Sequence, residues 1–484
     1  MQRRAPKHAK RIAPIPWFSI GPAVHSLLVA ASPTAIPVHL VSKAGWHALQ
    51  ERLAPEALRF ALAQGFVARP GQHLVLPDAT GAVSAVLLGC EGPEARHRDP
   101  FGPGRLAALL PAGDYVLEGE FGEAATAALG WLLQAYRFDR YRTPSPASAR
   151  LVVPAGVDGE ELSAIADSVA LARDLVNTPA NDLGPSEIEA AIRELGTACG
   201  ATVTSIIGDD LLARNFPMIH AVGRASPRQP RLVDLVWGDP AHPRVTLVGK
   251  GVAFDTGGLD LKPSSAMLLM KKDMGGAAAA IAAARMIMLA KLPVRLRLLV
   301  PAVENAVSGS SFRPGDVLPS RKGLSVEIGN TDAEGRLILA DALALADDEA
   351  PELLIDYATL TGAARVALGP DLPPVYSHDE ALAQEIVETG LAVNDPVWRM
   401  PLWHPYDRLL ESKIADVNHV SSGGMAGSVT AALFLNRFVE KTAAYAHFDI
   451  YGWTPSARPG RPEGGECQAA RLTYALVKRR YGRG

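Results

Sequence analysis

The sequence predicts an α/β protein in two domains. A smaller N-terminal α/β domain covers residues 1–150, and a larger C-terminal domain over 160–484 is built on a mostly parallel or mixed central sheet flanked by helices. Three observations carry that expectation. At 484 residues the chain exceeds one compact unit. A Pro- and Ser-rich tract, "RTPSPASA" at 142–149, reads as a linker and puts the boundary between about 145 and 165. Beyond it, near-continuous apolar strands alternate with helices, the pattern of a sheet covered on both faces.

The elements follow in order. Before the linker, "IPVHLVS" and "AVSAVLLGCEGP" read as strands, while "APEALRFALAQGF" and "GEAATAALGWLLQAYRFDRY" have helical spacing. After it, "ELSAIADSVALARDLVNT" is a long helix that stops at Pro179. "RVTLVGKGVAF" is a strand, and "MGGAAAAIAAARMIMLAKL" is a helix too apolar all round to face water. "VRLRLLVPAVE", "LSVEIGN", "ELLIDYATLTG" and "AAYAHFDIYGW" are further strands, with "RLILADALALADD" a helix among them. No repeat of solenoid length and no low-complexity tract is present.

Composition narrows the function classes. Hydrophobic residues make up 48% and charged residues 20%, with a net charge of −3, so no electrostatic argument exists for nucleic acid or an anionic membrane surface. The three cysteines, Cys90, Cys199 and Cys467, are too few and too scattered for a disulfide framework or a metal knuckle. A reducing compartment, most simply the cytoplasm, follows. The basic start "MQRRAPKHAKRIAPIPWF" carries Pro14 and Pro16 where an export signal needs an apolar run, so it reads as a frayed tail. No stretch approaches the ~20 apolar residues that span a bilayer.

The chemistry gathers at strand ends, where sites form in such sheets. Lys250 and Asp255 lie in "VGKGVAFDTGG"; Lys262 and Asp273 follow in "LKPSSAMLLMKKDMGGA"; and "NTDAEGRL" (330–337) supplies Asn330, Asp332, Glu334 and Arg336. Alone, each motif is more often a cap, a turn or a surface pair. Their coincidence at successive strand ends is what points to a site. Four converging carboxylates are costly unless cations occupy the cluster, and two divalent ions could share bridging carboxylates. Near such ions a lysine's pKa should fall until its neutral amine can ligate, a role open to Lys250. Lys262 would stay charged and stabilise an oxyanion. Arg336 presents a fork suited to a carboxylate or a small oxyanion. None of the twelve histidines forms an HExxH pair, and neither a GxSxG elbow nor a phosphate-cradling loop is present. His447 in "AHFDI" is expected to be a packed strand residue.

At these residues the sequence resembles the leucyl aminopeptidases, the M17 cytosol aminopeptidase family. The family signature NTDAEGRL stands unaltered, and "VGKGVAFDTGG", "KPSSAMLLMKKDMGGAAA", "RPGDV", "DYATLTGA" and "VNTPAND" extend the likeness over roughly 165–484. The resemblance implies an exopeptidase that hydrolyses the N-terminal residue from peptides with a free N-terminus. One metal would be held by Lys250, Asp255, Asp273 and Glu334, and the other by Asp255, Asp332 and Glu334, with the Asp332 carbonyl assisting. The ions would be Mn²⁺ or Zn²⁺, with Mg²⁺ also compatible. The catalytic positions would be Lys262 and Arg336, the arginine holding a bicarbonate that acts as general base. Met270, Asn330, Thr359 and Leu360 would line the pocket for the first side chain, and the Leu360 and Gly362 backbone would hold the next residue. The resemblance also implies a homohexamer, with the 1–150 domain serving assembly or regulation.

Two departures stand out. Where the family usually reads "AHLDIAG", this chain has "AHFDIYGW", which puts Tyr451 at a pocket position normally small. The segment "ENAVSGSSFRPGD" lacks the family's common Met-Pro. Two other classes compete. A two-metal phosphoesterase would usually use His ligands, and p-nitrophenyl phosphate turnover would reveal it. A DNA-binding or scaffold role would rest on the basic residues of 1–11, and weak, salt-insensitive DNA retention would dispose of it.

Overall fold

The computed structural model describes residues 27–92, 94–119, 122–143 and 149–482. The basic start of the chain and residues 144–148 of the expected linker lie outside the described residues. Among those residues the strands form two large sheets and two small ones.

The first large sheet has six strands and draws on residues 28–152. Its centre is the strand Ile36–Val41, parallel to both Val83–Gly89 and Asp114–Gly119. The expected helices are Pro55–Ala63 and Ala124–Gln134. The second helix is shorter than its spacing predicts. Arg137 donates to the Gln134 and Tyr136 carbonyls, and Tyr136 donates its hydroxyl to Asp174 at 2.7 Å, so the chain leaves the helix to reach across to the other half.

The second large sheet has nine strands and is mixed. Tyr445–Asp449, Leu353–Ala358, Arg244–Gly249 and Arg295–Asn305 run parallel side by side in that order. Arg231–Trp237 and Thr202–Ile207 extend it antiparallel at one edge. At the other edge Pro374–Tyr376 is antiparallel to Tyr445–Asp449. Helices cover both faces. One of them, Gly275–Leu289, is buried from Gly275 to Met288, as its uniformly apolar sequence requires. His447 is a packed strand residue, its Nδ1 2.7 Å from Asp356. No helix among the described residues is long and apolar enough to cross a membrane.

One apolar core runs through both halves, from Leu28 and Trp131 to Leu472 and Val477. Arg173, buried on the long helix Gly159–Asn177, ties them together by donating to the carbonyls of Leu133 and Gly460, each at 2.8 Å, and pairing with Glu466.

Two expected strands differ in ways that matter for the site. "RVTLVGKGVAF" splits into Arg244–Gly249 and Gly251–Asp255 around Lys250. Both pieces keep the same register on Arg295–Asn305, but a bulge inserts one residue between Val252, opposite Val303, and Asp255, opposite Asn305. "LSVEIGN" is not a strand of the large sheet. Only Ser325–Glu327 is extended, in a three-stranded sheet of its own. Aliphatic side chains there made it look like core, but its partners are the short strands Val317–Pro319 and Val417–Asn418.

Candidate metal centre

Lys250 and Asp255 are five residues apart, an odd spacing that would send them to opposite faces of a regular strand. The bulge before Asp255 shifts the pleat by one residue, so both side chains reach the same place. Asp255 is then fixed: its Oδ1 accepts from the Gly257 amide and from Asn305 Nδ2, both at 2.8 Å. Gly257, at φ +88°, turns the chain there, and a Cβ on it would sit 2.9 Å from Asp332 Oδ1.

Asp273 lies immediately before the buried helix Gly275–Leu289, and its Oδ1 accepts from Thr359 Oγ1 at 2.9 Å. Glu334 opens the helix Glu334–Asp347. Gly335 beside it has a steric reason, since a Cβ would lie 2.6 Å from Lys250 Nζ. Asp255, Asp273 and Glu334 are all buried, and one oxygen of each lies within 4.8 Å of the other two.

Cations answer these carboxylates. Lys250 Nζ is 2.8 Å from Asp273 Oδ2 and 3.0 Å from Glu334 Oε1, and it donates to the Thr359 carbonyl. Lys262 Nζ bridges Asp255 Oδ2 at 2.9 Å and Asp332 Oδ1 at 2.5 Å. Asp332 is thus joined to the cluster through Lys262 and is more exposed than the other three.

The protonation balance is uneven. Burial, then Asp273, raises the Asp255 pKa; burial, then Asp255, raises that of Glu334 well above the usual carboxylate range. Burial pushes Asp273 the same way, but Lys250 and Lys272 outweigh it and hold this carboxyl below its ordinary value. Burial alone would discharge Lys250; Asp273, Glu334 and Asp255 instead raise its pKa. With protein groups alone, therefore, Lys250 is the charged counter-ion of these acids, and the neutral amine expected from the sequence belongs to a cluster that holds cations. It is charged because three acids face it and together outweigh both its burial and the neighbouring lysines.

Even so, the acids are under-satisfied. Neither Glu334 oxygen accepts a hydrogen bond, and Asp273 Oδ2 and Asp332 Oδ1 have ammonium neighbours but no hydrogen-bonding geometry. Buried carboxylates in that condition suit a hard divalent cation.

Arg336 is buried in the same helix, and its Nη1 donates to the His419 carbonyl at 2.7 Å while its Nε has no partner. Burial lowers its pKa to about 10, leaving it a cation at neutral pH. A guanidinium with spare donors fits a small oxyanion.

The remaining expected residues divide. Thr359 directly follows the strand Leu353–Ala358 and touches Asp273. Met270 opens a short 3₁₀ turn leading to Asp273, and Gly362 begins the helix Gly362–Leu368. Asn330 is exposed, and its side chain caps the turn carrying Asp332, accepting from the Asp332 amide at 2.8 Å. Its carboxamide oxygen is therefore spent on the backbone. The Leu360 amide is also spent, donating to Asp449 at 3.0 Å. Tyr451 lies two residues beyond Asp449, its amide held by Gln468 at 2.9 Å.

Several supporting residues carry no motif of their own. Asn305 aims Asp255. Asp260 and Thr331 staple the 257–262 loop to the 330–334 turn. His419 sits between the Gly329 amide and the Asn330 carbonyl, with Nε2 2.9 Å from the latter. Their only sequence signal is proximity to the Gly-rich and acidic blocks.

A two-domain α/β architecture with a buried, under-satisfied carboxylate cluster between a sheet and two helix starts fits the class of metal-assisted hydrolases. Comparison with known proteins makes it specific. The "Cytosol aminopeptidase family, catalytic domain" matches residues 170–474, and the "M17 aminopeptidase, N-terminal domain" matches 36–154. The chain belongs to this family. It is 37% identical over 460 residues to a probable cytosol aminopeptidase of Chlorobium limicola, covering 86% of this chain and 90% of that one. A solved cytosol aminopeptidase of Coxiella burnetii superposes with a TM-score of 0.89 at 44% identity, covering 94% and 99% of the two chains. The bottromycin maturation enzyme BotP, solved in complex with Mn, aligns with a TM-score of 0.82 at 34% identity, covering 92% and 99%.

Proposed function

We propose that this chain is a two-metal aminopeptidase in which Lys250, Asp255, Asp273, Asp332 and Glu334 hold the ions. The observation that carries this reading is the approach of three buried carboxylates to within 4.8 Å, with both Glu334 oxygens lacking donors. Mn²⁺ or Zn²⁺ suits the oxygen-rich donor set, as does Mg²⁺. Bound there, such ions supply Lewis acidity that lowers the pKa of water and polarises a carbonyl.

The chain's own groups do the rest. Asp273, held by Thr359, receives the free amino group of the substrate, which confines cleavage to the first peptide bond. Lys262 aims its ammonium into the cluster and donates to the oxyanion that develops at the scissile carbonyl. Arg336 would hold a bicarbonate, which acts as a general base. Met270, Asn330, Thr359, Leu360 and Tyr451 line the pocket for the first side chain, and the Leu360 and Gly362 backbone holds the next residue.

The same reading divides the chain at about 150–160, gives the protein a homohexameric assembly, and places it in the cytoplasm. The test is metal stripping followed by reloading with Mn²⁺, Zn²⁺ or Mg²⁺. Hydrolysis of amino-acid p-nitroanilides should return with about two ions bound per chain by elemental analysis. Stoichiometric loading without hydrolysis would reject the reading.

A further inference from the structure

Beside the carboxylate centre, on the side carried by Thr359, two cations and one aromatic ring meet. Lys272 precedes Asp273 and is only 5% exposed. Among the described residues its ammonium makes no hydrogen bond or ion pair, and its direct contact is the face of Tyr451, 5.0 Å from the ring centre. Arg365, an exposed residue of the helix Gly362–Leu368, lays its guanidinium over the same ring at 4.6 Å. It reaches over Gly362 as well, where a Cβ would lie 3.5 Å from Arg365 Nη2. Arg365 too has no carboxylate partner among the described residues.

The place is close to the chemistry. Gly452, next to Tyr451, packs on Thr359, with an added Cβ 3.2 Å from Thr359 Cγ2, and Thr359 donates to Asp273. A substrate amino group at Asp273 would therefore leave its first side chain beside Tyr451.

A buried ammonium without an acceptor is costly, and a second cation converging on the same ring adds repulsion. Asp273 offsets part of the Lys272 charge without forming an ion pair with it, and among the described residues no carboxylate pairs with Arg365. A carboxylate seated beside the ring would answer both, with the guanidinium fork offering paired donors. An aliphatic side chain in the same place would be buried against a desolvated cation and gain little. We propose that Lys272, Arg365 and Tyr451 form the recess for the substrate's first side chain and select an acidic residue, aspartate or glutamate, over leucine. This rests on the aminopeptidase reading.

The test uses the full chain loaded with Mn²⁺. kcat/KM is measured for Glu-, Asp-, Leu- and Ala-p-nitroanilide, and binding of L-glutamate hydroxamate and L-leucine hydroxamate is measured by calorimetry. Acidic substrates should exceed leucine by about tenfold or more, the scale of a hydrogen bond to a charged group. Arg365→Ala, at an exposed position, should lower the acidic-to-leucine ratio by about tenfold, with Arg365→Lys recovering part of it. Lys272→Met should act in the same direction, and the hydroxamate affinities should follow the same order. A preference for leucine or for alanine, or an acidic preference that survives both Arg365→Ala and Lys272→Met, overturns this inference and leaves the aminopeptidase reading standing. No turnover of any of the four substrates removes both.

Discussion

Glu334 and Glu466 are the same residue type at nearly the same depth, 1% and 7% exposed, yet they are held in opposite ways. Glu466 is enclosed by donors. Arg173 Nη2 meets both its oxygens at 3.2 and 3.1 Å, the Cys467 amide reaches Oε1 at 2.8 Å, and Thr454 reaches Oε2 at 3.2 Å. Burial opposes its charge, but Arg173 and Arg461 outweigh burial and lower its pKa. Glu334 has an ammonium nearby, two acids facing it and no hydrogen-bond donor, so its pKa rises well above the ordinary range. The protein closes off the buried charge that ties its two halves together and leaves open the one proposed to face a ligand.

The largest effect should come from the open side. Glu334→Gln is expected to abolish turnover and reduce bound metal, while the melting temperature in chelator stays level or rises, because a repelled carboxylate has been removed. Near-normal turnover would show that Glu334 is as structural as Glu466. On the closed side, Arg173→Met strands Glu466 and should cost about 3–5 kcal/mol in denaturant unfolding. Adding Glu466→Gln should recover part of that loss, and an additive result would break the comparison. Asn305→Ala loosens Asp255 and should lower metal affinity about 10–100-fold, as loss of a supporting hydrogen bond typically does.

A smaller effect tests protonation itself. Asp174 is pushed up to about 6, chiefly by burial, while Tyr136 and the neighbouring arginines oppose the shift. Its folded pKa exceeds the unfolded value of about 3.8, so between those values the native state keeps a proton that the unfolded chain has released. Stability should therefore fall as pH rises from about 4 through 6, by on the order of 3 kcal/mol. Asp174→Asn should flatten that part of the profile, and an unchanged slope would argue for another group. At the bottom of the scale, Arg59→Ala breaks an exposed pair with Glu56 and should change stability by less than about 1 kcal/mol.

Much of this was legible in the chain alone. The apolar helix Gly275–Leu289, the four parallel strands and the identity of the charged residues follow from periodicity and local composition, which act over a few residues. What sequence reasoning misplaced depended on partners far along the chain. "LSVEIGN" looks like core because its residues are aliphatic, and only its pairing with Val417–Asn418 shows otherwise. The helix at 124 ends early because Tyr136 is drawn to Asp174.

By itself, then, the sequence determined which residue types meet: acids, two lysines and an arginine placed at element ends by hydrophobic patterning. The tertiary structure decided how they meet. The bulge that turns Asp255 to the side of Lys250, the donors that close Glu466 but not Glu334, and the pairing of Lys272 with Arg365 across Tyr451 all arise from contacts between distant segments. Side-chain direction and electrostatic balance depend on distances in space, and those exist only once the chain has folded.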